Sequence, residues 1–111
     1  MDLTQLQQAL RQLPKDTLLT EIPEVQNSIK HLLQSNKEMR EYDPEGKDPD
    51  LTQAIEENQQ LMERHEARID ATLRIIRERI GEAAGREMAS NVIAFRKEYP
   101  TKPDEEEGVL L

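Results

Sequence analysis

The side chains best able to do chemistry here are His31 and His65, a turn rich in carboxylates, and four arginines between residues 74 and 86. Two histidines one helical turn apart, with a glutamate beside the first, would hold zinc and activate a bound water. His65-Glu66 lacks that second histidine, and His31 stands alone. Asp43, Glu45 and Asp48 gather charge in one turn but miss the ligand spacing of a calcium loop. There is no glycine-rich phosphate loop, and no Ser/His/Asp set stands out from what any polar chain contains. The remaining carboxylates are those expected of a solvated helix face. With no cysteine, disulfides, thiolate metal sites and cysteine nucleophiles are excluded. No catalytic, cofactor-binding or metal-binding residue is assigned, and an enzyme is not expected.

Arg74, Arg77, Arg79 and Arg86 have two readings. The plainer one is a solvated face paired with Glu78 and Glu82; the other is a patch for an acidic partner segment. His65 reads as a partly buried histidine within a helical seam, and His31 as solvated.

Composition points to elongated helices. The chain has 111 residues, of which 3% are aromatic, and none is Trp. A round core of this size would normally use several large rings. Ala, Glu, Lys, Leu and Arg supply nearly half of the chain, a share typical of coiled coils. The net charge of −8 disfavours binding to phosphate backbones. No apolar run is long enough to span a bilayer, and no secretory pattern opens the chain. A cysteine-free, charged sequence suits a reducing compartment, so the cytoplasm, with the nucleus as a further location, is the expected setting.

Apolar spacing sets out the elements of an all-α chain. Leu3, Leu6, Leu10 and Leu13 predict a short helix over 2–13, ended by Pro14. Asp16 is the expected cap of a helix over 16–42. Its seam is Leu18, Ile22, Val25, Ile29, Leu32, Asn36 and Met39, with Ile22, Ile29 and Asn36 at heptad position a and the others at d. Pro23 predicts a kink or restart. Residues 43–49 hold two prolines and a glycine and must turn. Asp48 or Asp50 then caps a helix over 49–80, with the seam Leu51, Ile55, Asn58, Met62, His65, Ile69, Thr72 and Ile76. Gly81–Gly85 reads as a hinge before an extra helix over 86–99, striped by Met88, Val92, Phe95 and Tyr99. Residues 1–99 form the single helical domain; 100–111, with Asp104–Glu107, read as a disordered acidic tail.

So short a turn returns the second long helix antiparallel to the first, as a two-helix coiled-coil hairpin with short flanking helices. One register pairs Met39 with Ile55, Asn36 with Asn58, Leu32 with Met62, Ile29 with His65, Val25 with Ile69, Ile22 with Thr72 and Leu18 with Ile76. It sets the two seam amides opposite one another, whereas a slip of one heptad leaves each against an apolar residue. An unpartnered buried amide costs roughly 1–3 kcal/mol, so Asn36 and Asn58 are expected to fix the register. The alternative is that both amides face water at a frayed tip. Leu19, Leu33, Leu73 and Ile80 all fall at e, and the two e edges border one groove. They are candidate partner-binding residues unless the chain's own 2–13 or 86–99 fills that groove. The hairpin is expected to be monomeric when free.

Two stretches carry a resemblance. Asn27-Ser28-Ile29-Lys30-His31-Leu32-Leu33-Gln34-Ser35-Asn36 resembles the first-helix signature of the fungal stress-inducible, ATPase-dedicated proteasome assembly chaperones, a translation-machinery-associated family. Glu57-Asn58-Gln59-Gln60-Leu61, with Arg68-Ile69-Asp70-Ala71, is similar to the second helix. The resemblance covers roughly residues 9–71 and includes both seam amides. It implies binding to a triple-A ATPase subunit of the proteasome regulatory particle, the sixth of six. It further implies help in pairing that subunit with the third, and departure before the particle is finished. This chain departs from the family pattern in its short inter-helix turn, where the family carries a longer acidic insertion, and in its longer helical region after Ala71. Heptads alone fit a generic coiled-coil adaptor or tether equally well. A prefoldin-like holdase would need strands, and no alternation of that kind is present.

Overall fold

Capping chemistry sets the start of each helix in the computed structural model, which describes residues 2–102. These hold four helices and no strand: α1 (Leu3–Arg11), α2 (Lys15–Tyr42), α3 (Pro49–Arg79) and α4 (Glu82–Glu98). Asp2 and Gln5 open α1 as a reciprocal capping box, each side chain bonding the other's backbone N–H. Asp48 caps α3 by accepting from the N–H groups of Asp50 and Leu51, with Pro49 in the first turn. Between α2 and α3, the Asp43 carboxylate accepts from the N–H groups of Lys47 and Asp48, and Gly46 takes a φ of 66°.

Several expected boundaries move. The residue capping α2 is Pro14, not Asp16. The Pro14 carbonyl accepts the first helical bond, from the Leu18 N–H, and the Asp16 carboxylate accepts from the Thr17 N–H. Asp16 then lies in the first turn, where its charge suits the helix dipole. No restart occurs at Pro23, and α2 is one helix of 28 residues. Pro23 is exposed, as is Leu19, whose carbonyl loses its partner, so water can satisfy that group. The hinge contracts to Gly81, whose φ is 145°, and α4 begins at Glu82 rather than 86. Gly85 lies inside α4, buried, where an added Cβ would sit 2.3 Å from the Arg77 side chain. The ordered chain also runs past 99. Thr101 is buried, its carbonyl accepts from Gln59 Nε2 and its hydroxyl bonds Glu66. Of the tail expected over 100–111, residues 103–111 lie outside those described.

α3 is the central element. Its 31 residues span about 46 Å at 1.5 Å each, and they set the 48 Å long dimension of the molecule. α2 packs along one side of it in the opposite direction, since Asn36 bonds Asn58 near the turn while Glu21 bonds Arg68 farther away. α1 lies on a second side, held by Arg11 to Glu78 at 3.1 Å and by Arg79 to the Leu13 carbonyl. α4 lies on a third, where Arg96 bridges Glu66 at 3.1 Å and Asp70 at 2.9 Å. The core gathers where these four meet: Leu10, Leu18, Ile22, Ile29, Met62, Ile69, Ile75, Ile76 and Val92 are all sealed from solvent.

Gly81 has open space around it, so only its backbone angle resists a side chain. Gly81→Ala should cost roughly 1–3 kcal/mol, because alanine is strained at that φ. Thermal unfolding should report a midpoint lower by several degrees; an unchanged midpoint would show that α4 does not need this bend.

Candidate partner interface

The α2–α3 seam changes character along its length. At the end where all four helices meet, Leu18, Ile22, Ile29, Ile69, Thr72 and Ile76 are no more than 1% exposed. Thr72 tolerates this because its hydroxyl bonds the Arg68 carbonyl one turn back. Toward the turn, Leu32, Met39, Leu51 and Ile55 are only half-buried although they occupy the same seam. Neither α1 nor α4 reaches them: the contacts of α1 begin near Leu61 and those of the α4 end stop at Gln59. A two-helix seam lacks the width to seal its own apolar positions, so the tip is the unfinished part of the core.

Asn36 and Asn58 lie at the junction between these halves. Asn58 Nδ2 donates to Asn36 Oδ1 at 2.9 Å, and Asn36 Nδ2 donates to the Ile55 carbonyl at 3.4 Å. Asn36 is 1% exposed, so the reading in which it faces water does not hold. Each amide gives the other a partner that an apolar residue could not.

The four candidate partner-binding residues fare differently. Leu73 is buried, while Leu33 and Ile80 are half-buried against the chain's own core. α4 occupies their edge of the hairpin: Thr101 and Arg96 engage Gln59 and Glu66 at the e positions of α3, and Lys30 of α2 reaches over the Tyr99 ring at 5.0 Å. The assignment of Leu33, Leu73 and Ile80 to a partner therefore gives way, because this chain already covers them. Leu19, 39% exposed, stays at the surface.

The arginine run divides likewise. Arg77 lies 4.0 Å from Glu82, as the paired reading expects, whereas the half-buried Arg79 bonds the Leu13 carbonyl and Glu78 pairs with Arg11 rather than with the run. Sequence inspection missed the Glu21–Arg68 ion pair, though both residues hold position g, where opposite charges across a groove signal pairing. Nothing in the sequence announced the seat of Thr101.

Burial works against the charge of Arg96, but its bonds to Asp70 and Glu66 more than offset this and raise its pKa. In the open cleft of about 630 Å³ beside Glu63, the side chains of Arg96, Glu66, Asp70 and Thr101 are thus engaged with one another. No group of three potential metal ligands occurs among the described residues, and none of the helices is long and apolar enough to cross a membrane. His65 has its pKa lowered below the usual 6.5, chiefly by burial and further by Arg68 and Arg64.

The TMA17 helical domain family model matches residues 2–83, which takes in α1, α2, α3 and the first two residues of α4. No curated protein and no solved structure matches the chain.

Two predictions follow from this geometry. Asn36→Leu alone should destabilise the chain by about 1–3 kcal/mol, by leaving the Asn58 amide without its partner, and the double variant with Asn58→Leu should recover most of that loss. Urea titrations of the three proteins check this, and a double variant no better than the single one would show that the amides act independently. For His65, a lowered native pKa means that the unfolded chain takes up the proton more readily. Its contribution is complete above about pH 6.5 and is lost as pH falls below that value toward the lower native pKa. The urea midpoint should drop between about pH 7.5 and about pH 5.5, and His65→Gln should flatten that slope. An equal slope in both proteins would assign the effect to other groups.

Proposed function

Because the chain belongs to the TMA17 helical domain family, that of the ATPase-dedicated proteasome assembly chaperones, we propose that it binds an AAA ATPase subunit of the regulatory particle and promotes its pairing with another. The observation that carries this reading is the family match across α1–α3. The resemblance of residues 27–36, 57–61 and 68–71 extends it to the sixth ATPase subunit as partner and the third as the one it is paired with.

Physical support comes from the long antiparallel pair. The ATPase subunits carry coiled-coil helices, and an α2–α3 hairpin used as a coiled coil offers a helical partner of the same periodicity. The chain acts by binding rather than by catalysis, as a monomeric hairpin when free, in the cytoplasm and nucleus. The half-sealed seam toward the turn supports binding, since its apolar positions gain burial when a further helix joins them.

A pull-down from native lysate under non-denaturing conditions tests the proposal. Free ATPase subunits should be recovered without mature proteasomes. Recovery of finished particles, or of vesicle or cytoskeletal complexes in place of ATPase subunits, would replace the chaperone reading with that of a coiled-coil adaptor or tether.

A further inference from the structure

The half-sealed tip has two sides, and they differ in charge. In an antiparallel pair the e positions of both helices border one groove and the g positions border the other. On the e side, α4 and Pro100–Lys102 already cover the groove as far as Gln59, and its open part is flanked by Lys37 and Arg40 together with Glu56. On the g side, Asp2, Leu3 and Leu6 of α1 share an open cleft with Leu61, Arg64 and Arg68 of α3. Beyond that cleft the walls are Ser35 from α2 and Ala54 from α3, both half-buried, with the exposed Tyr42 next to the turn. The floor is the half-buried set Leu32, Met39, Leu51 and Ile55.

The rim of the g-side groove consists of the c positions, which flank g on the helical wheel. Toward the turn they are His31 and Glu38 on α2, and Asp50 and Glu57 on α3. Three carboxylates therefore border a shallow apolar channel. None of them has an ion-pair partner among the described residues; Glu38 and Glu57 accept only from Gln34 and Gln53 of their own helices. Short walls allow close approach of a backbone, and an open line of seam residues supplies heptad anchors.

We infer that the g-side groove at the hairpin tip seats a single partner helix whose apolar heptad stripe is flanked by Lys or Arg. The inference rests on the reading of the chain as a partner-binding chaperone and names the face and the partner chemistry. The partner helix continues the line of α1 past Leu3, which is 51% exposed at the end of the channel. Its apolar stripe completes the burial of Leu32, Met39, Leu51 and Ile55, and its basic flanks meet Glu38, Asp50 and Glu57. Charge excludes two other occupants: nucleic acid is repelled by the rim, and so is the chain's own Asp104–Glu107 run.

The test uses the full chain, the exposed charge-reversal pair Glu38→Lys/Glu57→Lys, and a control pair on the opposite side, Lys37→Glu/Arg40→Glu. Circular dichroism and thermal unfolding confirm that each folds. Two synthetic four-heptad peptides serve as probes, both with Leu and Ile at a and d, one with Lys and the other with Glu at e and g. The Lys-flanked peptide should bind the wild-type chain and the control pair alike. It should bind the Glu38→Lys/Glu57→Lys chain about tenfold more weakly, and its binding should weaken with added salt. The Glu-flanked peptide should not bind. Equal binding of both peptides, no binding of either, or full binding to Glu38→Lys/Glu57→Lys overturns the inference. So does a wild-type dimer in sedimentation that this pair dissolves, because the occupant is then a second copy. The native pull-down repeated with both variants separates this inference from the function. If wild type recovers ATPase subunits and Glu38→Lys/Glu57→Lys recovers as much, the groove assignment falls and the chaperone reading stands. If wild type recovers none, the chaperone reading falls and the peptides alone decide the groove.

Discussion

The packing of α2 against α3 holds every other contact in place. The apolar residues of α3 extend around more than one side, so alone in water it would leave them exposed. α2 covers the a and d positions, and only then do the remaining sides become surfaces on which α1 and α4 can dock. A nine-residue α1 could not persist without that support. The amide pair of Asn36 and Asn58 matters out of proportion to its energy, since a seam of aliphatic side chains alone tolerates a slip by one heptad. A hydrogen-bonded pair at one layer makes that slip costly.

That arrangement divides the molecule into a finished half and an unfinished one. Where four helices meet, leucine, isoleucine and valine are sealed, and Arg96 is paired between Glu66 and Asp70, while the buried Gln26 Nε2 has no partner among the described residues. Toward the turn the same heptads continue with two helices only, and the seam stays half-open. For a family linked to the assembly of ATPase rings, this division has a use. A stable base holds the two long helices in register, while the tip offers apolar surface that gains from a further helix. The thermodynamic logic is that of a core left incomplete until a partner supplies the missing layer.

Much of this was legible from residue spacing. The two seams, the turn at 43–49, Asp48 as a cap and the pairing of the two amides all follow from periodicity and the cost of an unpartnered polar group. Local chemistry was read less well where two rules competed. Asp16 has the side chain of a cap, yet the first helical bond runs to the Pro14 carbonyl and Asp16 bonds the Thr17 N–H from within the first turn. Pro23 breaks the hydrogen-bond ladder, yet α2 continues because the broken position faces water. Gly85 has the permissiveness of a hinge, yet it sits within α4 because the Arg77 side chain lies where a larger residue would be.

The sequence by itself determined an all-helical chain, two long helices of matched seam, and a layer of facing amides, because each is a property of spacing along one or two segments. It also carried the family, through residues 27–36, 57–61 and 68–71. Only the tertiary structure decided which helix fills which groove. Leu33, Leu73 and Ile80 have the same pattern whether a partner or α4 covers them, and the choice depends on how the Gly81 bend directs the chain back along α3. Thr101 is buried for the same reason: the path of α4 brings it to Gln59 and Glu66, contacts 42 and 35 residues away that no local pattern encodes.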